Sequence, residues 1–209
     1  MRDTGAPHFI PILDGTELVR AYPDFSEDLA DAVADGLSAA GNAGIGSNVV
    51  TFVKEDTQTI SGPGAATYDV IGGGTNDLEV TITPSSDTSR VLVLATVALA
   101  QSVGANVEEF LALSIFRGST NLSTPDTLGT RIAALSGINQ IDSIGGNRGV
   151  GSRSFMFLDS PATTAATTYS VRAQRRTSGT TFFNRPVTDA DDFFRSRAVS
   201  VITAIEVAS

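Results

Sequence analysis

Between Arg90 and Leu99 the chain reads RVLVLATVAL, a run in which both alternating sets of side chains are apolar. It is rich in Val and Leu and contains no Gly or Pro, so it reads as a strand. Leu92, Leu94 and Ala98 face one way; Val91, Val93, Val97 and Leu99 face the other. A strand that is dry on both faces needs a core behind it and cover in front. In a two-layer sandwich the simplest cover is another subunit, and Val91, Val93, Val97 and Leu99 are assigned to that contact.

Other strand signals surround this one. In DLEVTIT, Leu78, Val80 and Ile82 alternate with Glu79, Thr81 and Thr83 before Pro84 ends the run, the pattern of a sheet with one wet face. Further strands are expected at Val49 to Val53, Phe110 to Arg117, Ser154 to Leu158, Thr168 to Arg175, Thr180 to Asn184 and Ala198 to Val207. Clusters of Gly, Pro, Asn, Asp and Ser separate them. Many short strands without long helices point to a mainly β fold, a jelly-roll-like antiparallel β-sandwich. The 209 residues, 41% of them apolar, can fill one such core and leave a small appendage. The segment Asp126 to Gly151 is less regular: RIAALSGI suits one turn of helix, and SIGGNRGVGSR a long exposed loop.

The appendage is expected at the N-terminus. SAAGNAGIGSN, Ser38 to Asn48, is small, Gly-rich and uncharged, and it divides residues 1–45 from a β-domain over 46–209. Ahead of it, PDFSEDLADAVADGL reads as a short helix over about 24–37. Asp24 is a plausible N-cap with Glu27 three residues on. Phe25, Leu29, Val33 and Leu37 recur every four residues as one apolar stripe, opposite Glu27, Asp28, Asp31 and Asp35. A helix of this length is marginal alone and must dock. It either packs on its own β-domain or, with the extended PHFIPIL segment, forms an anchoring and oligomerisation collar.

Charge narrows the partners. The net charge of −9 is uneven: residues 1–89 carry 3 basic and 14 acidic side chains, and residues 90–209 carry 11 arginines and 9 acids. Nucleic-acid binding is therefore disfavoured. The longest apolar run is about half of a membrane span, so no membrane insertion is expected, and MRDTGAPHF lacks the apolar region of a signal peptide. Without cysteine there are no disulfides or thiolate sites. One histidine, His8, makes zinc chemistry or a Ser-His-Asp arrangement a poor fit. Glu108, Glu109, Asp189, Asp191 and Asp192 are the candidate paired carboxylates, but the spacing of a calcium loop is missing and a solvated acidic turn is the simpler reading. GGGTND and GGNRGVG lack the Lys-Ser/Thr of a phosphate loop and read as turns. No catalytic, metal or cofactor site is expected, and no cofactor.

TITPSSDTSRVLVLATVAL, LSIFRGSTNL, FLDSPATTAATTYSVRAQRR, TTFFNRP and SVITAIEV, in that order, resemble a β-domain common at the C-termini of bacteriophage tail-fibre and minor tail proteins. LDSPATTAATTY is the most specific piece, and the resemblance spans roughly Val49 to Val207. It implies a non-enzymatic virion structural protein with a jelly-roll-like domain that forms homotrimers, located on the particle after assembly in the bacterial cytoplasm. Residues 1–45 would then join it to other tail or capsid proteins. The segment Leu128 to Gly151 is an insertion relative to that pattern, and a long fibrous shaft is missing, which keeps a compact tail protein and a capsid decoration protein open as alternatives.

The arginines of the second half suggest one binding surface. On a strand from Thr168 to Arg176, Arg172, Gln174 and Arg176 share the outward face. They could meet a host cell-surface glycan or form ion pairs with nearby carboxylates. A lectin-like module, the rival class, would need stacking aromatics. The adjacent pairs Phe182/Phe183 and Phe193/Phe194 are more simply read with alternate members in the core.

Overall fold

Two antiparallel sheets account for all the regular structure in the computed structural model, which describes residues 45–61, 67–74, 76–102, 110–126, 129–139, 148–175 and 179–208. The strands are β1 (Ile45–Lys54), β2 (Gln58–Ile60), β3 (Asp69–Val70), β4 (Glu79–Ile82), β5 (Arg90–Ser102), β6 (Phe110–Arg117), β7 (Thr120–Asn121), β8 (Ser136–Asn139), β9 (Gly151–Asp159), β10 (Thr167–Arg175), β11 (Thr180–Phe183) and β12 (Ser200–Val207). No helix occurs among the described residues. The chain divides into two units, Met1–Asn42 and Ala43–Ser209. The expected helix, with Phe25, Leu29, Val33 and Leu37, lies outside the described residues.

The first sheet runs β1-β12-β5-β9, every pair antiparallel. Strand β5 is long enough to take two partners on one side: Arg90 to Thr96 pair with β12, and Leu99 to Ser102 pair with β11, which in turn holds β2. In the second sheet β10 is central, with β6 on one side and β3 and β4 on the other; β6 carries β7 and β8 on its far edge. The chain changes sheet between β2 and β3, β4 and β5, β5 and β6, β8 and β9, β9 and β10, and β10 and β11. The result is a jelly-roll-like antiparallel sandwich.

The alternation seen in the sequence places the core. Val91, Val93, Ala95, Val97 and Leu99 of β5, with Ile202 and Ala204 of β12, face Leu111, Leu113 and Ile115 of β6 and Tyr169, Val171 and Ala173 of β10. Val80 and Ile82 of β4 join them, as the DLEVTIT pattern predicts. Fully burying such a side chain stabilises by about 1.5–3 kcal/mol, so this cluster is the dominant favourable contribution.

Two expectations change and one holds. The supposed helical turn RIAALSGI is irregular up to Leu135 and then becomes β8, because its backbone pairs with β6 and Leu135 N–H donates to Leu113 O at 3.0 Å. The Gly-rich joint ends sooner than expected, since β1 already starts at Ile45, opposite Val207. The start of GGGTND turns as read, over Gly72 to Gly74, and Gly72 is required there: a Cβ would stand 2.3 Å from the Cα of Asp77 at a φ of 150°.

Buried polar groups tie the ends of the sandwich. Glu206 of β12 is almost fully enclosed and accepts from Ser85 N–H at 2.7 Å and Ser85 Oγ at 2.5 Å, with Asn48 Nδ2 at 3.4 Å. Burial pushes its carboxyl up, but the hydrogen bonds from Ser85, Ser89 and Asn48 together outweigh that and hold it below the usual glutamate range. A folded pKa below the unfolded one stabilises fully above the unfolded value, near 4.5, and the contribution is lost as pH falls through the folded value. Glu206→Gln is therefore expected to cost about 1–3 kcal/mol at pH 7. The gap from wild type should narrow on acidification below pH 4.5 in urea titrations. A gap independent of pH would show that the carboxylate is not what these donors hold.

Candidate functional site

Register decides which side chains of the first sheet look outwards. Three rows cross β1, β12, β5 and β9 in turn: Val49–Ile205–Leu92–Leu158, Thr51–Thr203–Leu94–Met156 and Val53–Val201–Thr96–Ser154. None of these twelve side chains is buried, and none is charged. Met156 is 66% exposed and Val49 53%, with Leu94, Val53 and Leu158 also open. The few polar groups on this face pair with one another: Thr51 and Thr203 hydroxyls lie 3.0 Å apart, and Thr96 and Ser154 hydroxyls 2.9 Å apart.

The second sheet is treated differently. Its outward residues Ala112, Ser114 and Phe116 on β6 are buried, because the chain around them folds over that face. Tyr68 packs against Phe116 with the rings tilted and their centroids 5.1 Å apart, it donates its hydroxyl to Ala133 O at 2.5 Å, and burial pushes that phenol up to about 12. Asn121 accepts from Ser114 Oγ at 2.5 Å and donates to Ala133 O at 3.1 Å. One sheet is thus roofed by its own chain, and the other presents three uncharged, largely apolar rows, with Arg90 exposed at the outward position of β5 beyond Leu92.

The sequence reading of β5 is corrected by this placement. Val91, Val93, Val97 and Leu99 are each fully enclosed in the core between the sheets. The side that is left for a subunit contact holds Leu92 and Leu94. The strand covered on both faces is β6, where six consecutive residues, Leu111 to Phe116, are buried. Alternation in RVLVLATVAL gave two apolar sets without saying which one the second sheet would claim. The contribution of Met156 and Leu158 from β9 was also missed, although both sit at alternate positions in SFMFLD.

The proposed arginine surface divides as well. Arg172 lies over the Phe116 ring at 4.6 Å and donates to Gly118 O at 2.6 Å, so its guanidinium serves the roof of the second sheet. Gln174 is buried and engaged in an interaction. Arg176 lies outside the described residues.

The acidic loop VTDADDFFRSR, between β11 and β12, surrounds a cleft of about 430 Å³ lined by Asp189, Asp191, Asp192, Arg195 and Arg197 among others. Arg197 donates to both oxygens of Asp189, at 3.2 and 2.8 Å, and holds that carboxyl below its usual range; Arg195 pairs with Asp192. Among the described residues no group of three His, Asp or Glu side chains could hold a metal. Phe183 is in the core and Phe182 lies under Arg185 at 4.4 Å. Contrary to the expected alternation, Phe193 and Phe194 are both outside, 88% and 62% exposed, with ring centroids 3.9 Å apart and Arg148 5.7 Å from the second ring. They belong to a loop, where period two does not apply.

No protein-family model and no curated protein matches this chain. Solved structures that it is similar to include the T13 viral particle of infectious bursal disease virus, at 13% identity and a TM-score of 0.38 over 77% of this chain and 35% of that one. The VP2 subviral particle of the same virus shows 13% identity and a TM-score of 0.37 over 77% and 37%, and the Gx strain 12% and 0.36 over 79% and 38%. The chain thus spans under two fifths of the length of these proteins.

Proposed function

We propose that this chain is a non-enzymatic structural subunit of a bacteriophage particle, a homotrimeric tail fibre or minor tail protein exposed on the virion. The observation that carries the reading is the three open, uncharged rows of the first sheet, since exposed contiguous apolar surface of this kind marks a contact with another molecule. A fold by itself assigns no function. The virion and the tail enter through the sequence resemblance centred on LDSPATTAATTY, Leu158 to Tyr169 in this chain. In this reading residues 1–45 join the subunit to other tail or capsid proteins, and a capsid decoration protein is the alternative position on the particle. The carboxylates that come together serve structure: Asp189 and Asp192 are each engaged by an arginine, and Asp159 by Arg117 and Tyr169.

Light scattering on the full chain across a wide dilution range tests the reading. The expected mass is three times the 21.6 kDa of one chain, persisting on dilution. The mass of a single chain at every concentration would count against a self-assembling subunit.

The exposed Phe193–Phe194 pair favours a second reading, a lectin-like module that stacks a host glycan on the rings beside the Asp and Arg side chains. Phe193→Ala should then weaken adsorption to host cells without lowering the melting temperature. Unchanged adsorption would remove it.

A further inference from the structure

We infer that the outward face of β1, β12, β5 and β9 is the surface through which copies of this chain join, with Leu94 and Met156 near its centre; this rests on the assembly reading above and names its site. Four strands about 4.8 Å apart, carrying three rows about 7 Å apart, make a patch of several hundred square ångströms. Three such patches turned towards one axis remove about 1,000 Å² or more from water, the scale of a specific interface.

Another copy of the chain is the occupant that fits the chemistry. Residues 46–209 carry 12 basic and 15 acidic side chains, so copies of this domain repel one another only weakly, and these rows carry no charge to add to that repulsion. The hydroxyls of Thr51, Thr203, Thr96 and Ser154 already satisfy one another in cross-strand pairs, so burying them leaves no new unpaired polar group. A face meant for a charged or transient partner would carry ionic groups at its centre; uncharged, apolar centres are the mark of permanent homomeric contacts. Every copy offers the same face, so a closed assembly turns it towards the symmetry axis.

The test uses the full chain and two arginine substitutions, Leu94→Arg and Met156→Arg, made separately. Both positions are exposed in the single chain, so the melting temperature of the dissociated form and the far-ultraviolet dichroism should be unchanged. In an assembly each guanidinium is buried without a partner and is repeated in every copy, so the dissociation constant from light scattering should rise about a hundredfold or more. A second measurement uses the absence of native cysteine: the thiol of Met156→Cys should react with a maleimide at least about tenfold more slowly at assembling than at dissociating concentrations. An assembly that both arginine variants leave intact overturns this face while sparing the assembly reading. A wild-type chain that is monomeric throughout overturns both and leaves the face to a different protein.

Discussion

Replacing Asp159 with alanine is expected to destabilise the sandwich by about 3 kcal/mol or more, a large fraction of the roughly 5–15 kcal/mol that holds a domain together. Asp159 ends β9 in the first sheet, yet its partners belong to the second. Arg117 of β6 reaches both carboxylate oxygens, at 3.0 and 2.8 Å, and Tyr169 of β10 donates its hydroxyl at 2.7 Å. Arg117 and Tyr169 stand opposite each other in register, so one carboxylate fastens two neighbouring strands of the far sheet. Asp159 and Tyr169 are buried, whereas a third of the Arg117 side chain is open to water. Loss of the carboxylate therefore strands the Tyr169 hydroxyl more severely than the guanidinium. Burial and the Asp159 bond push the Tyr169 phenol well above the usual range, which favours the protonated, hydrogen-bond-donating form. Tyr169→Phe, which keeps the ring and leaves the ion pair, should cost only about 1–2 kcal/mol. Urea unfolding of the two variants checks the order, and a cost below about 1 kcal/mol for Asp159→Ala would mean the clamp between the sheets contributes little.

Asn184→Ala should do comparable damage, about 4 kcal/mol, for a different mixture of reasons. Asn184 is fully buried just after β11, at a positive φ of 61°. Its Nδ2 donates to Lys54 O at 2.8 Å and Asp56 O at 2.9 Å, and its Oδ1 accepts from Ser200 Oγ at 2.6 Å. Ser200 Oγ in turn accepts from Ala98 N–H at 3.0 Å, and Asn184 N–H donates to Ala98 O at 2.9 Å. One side chain thus ties the end of β1, the middle of β5 and the start of β12. Alanine removes three bonds and sits poorly in the left-handed region. Asn184→Gly loses the same bonds but accepts the backbone, so it should be milder than alanine by about 1 kcal/mol. Equal melting temperatures for the two variants would show that the backbone conformation adds nothing to the loss.

Neither clamp was legible in the sequence. Asp159 and Arg117 are 42 residues apart and Asn184 lies 130 from Lys54, so each pairing exists only once the sheets have closed. Asn184 reads as the last residue of the strand TTFFN, and nothing in that string reports a positive φ. The strands themselves were far more accessible. Phe110 to Arg117 begins and ends as the sequence suggests, and Ser154 to Leu158 lies within β9. The short pieces β2, β3, β7 and β8 were not foreseen, because two to four residues carry no period and pair only where a longer neighbour offers its edge.

The candidate face shows the same division. By itself the sequence determined that the body is an antiparallel β-sandwich, since period-two alternation bounded by turn residues is a local property that any correct fold must satisfy. It also determined that β5 carries two apolar sets, one of which would have to find cover outside an ordinary two-layer core. Only the tertiary structure decided that Val91, Val93, Val97 and Leu99 go inwards and Leu92 and Leu94 outwards. Only register set Met156 and Leu158 beside them, and only the folding of Tyr68, Asn121 and Ala133 over the second sheet left the first as the open one. The reason is that a strand's two faces are related by a rotation costing nothing locally; the choice between them is made by what the opposite sheet can bury.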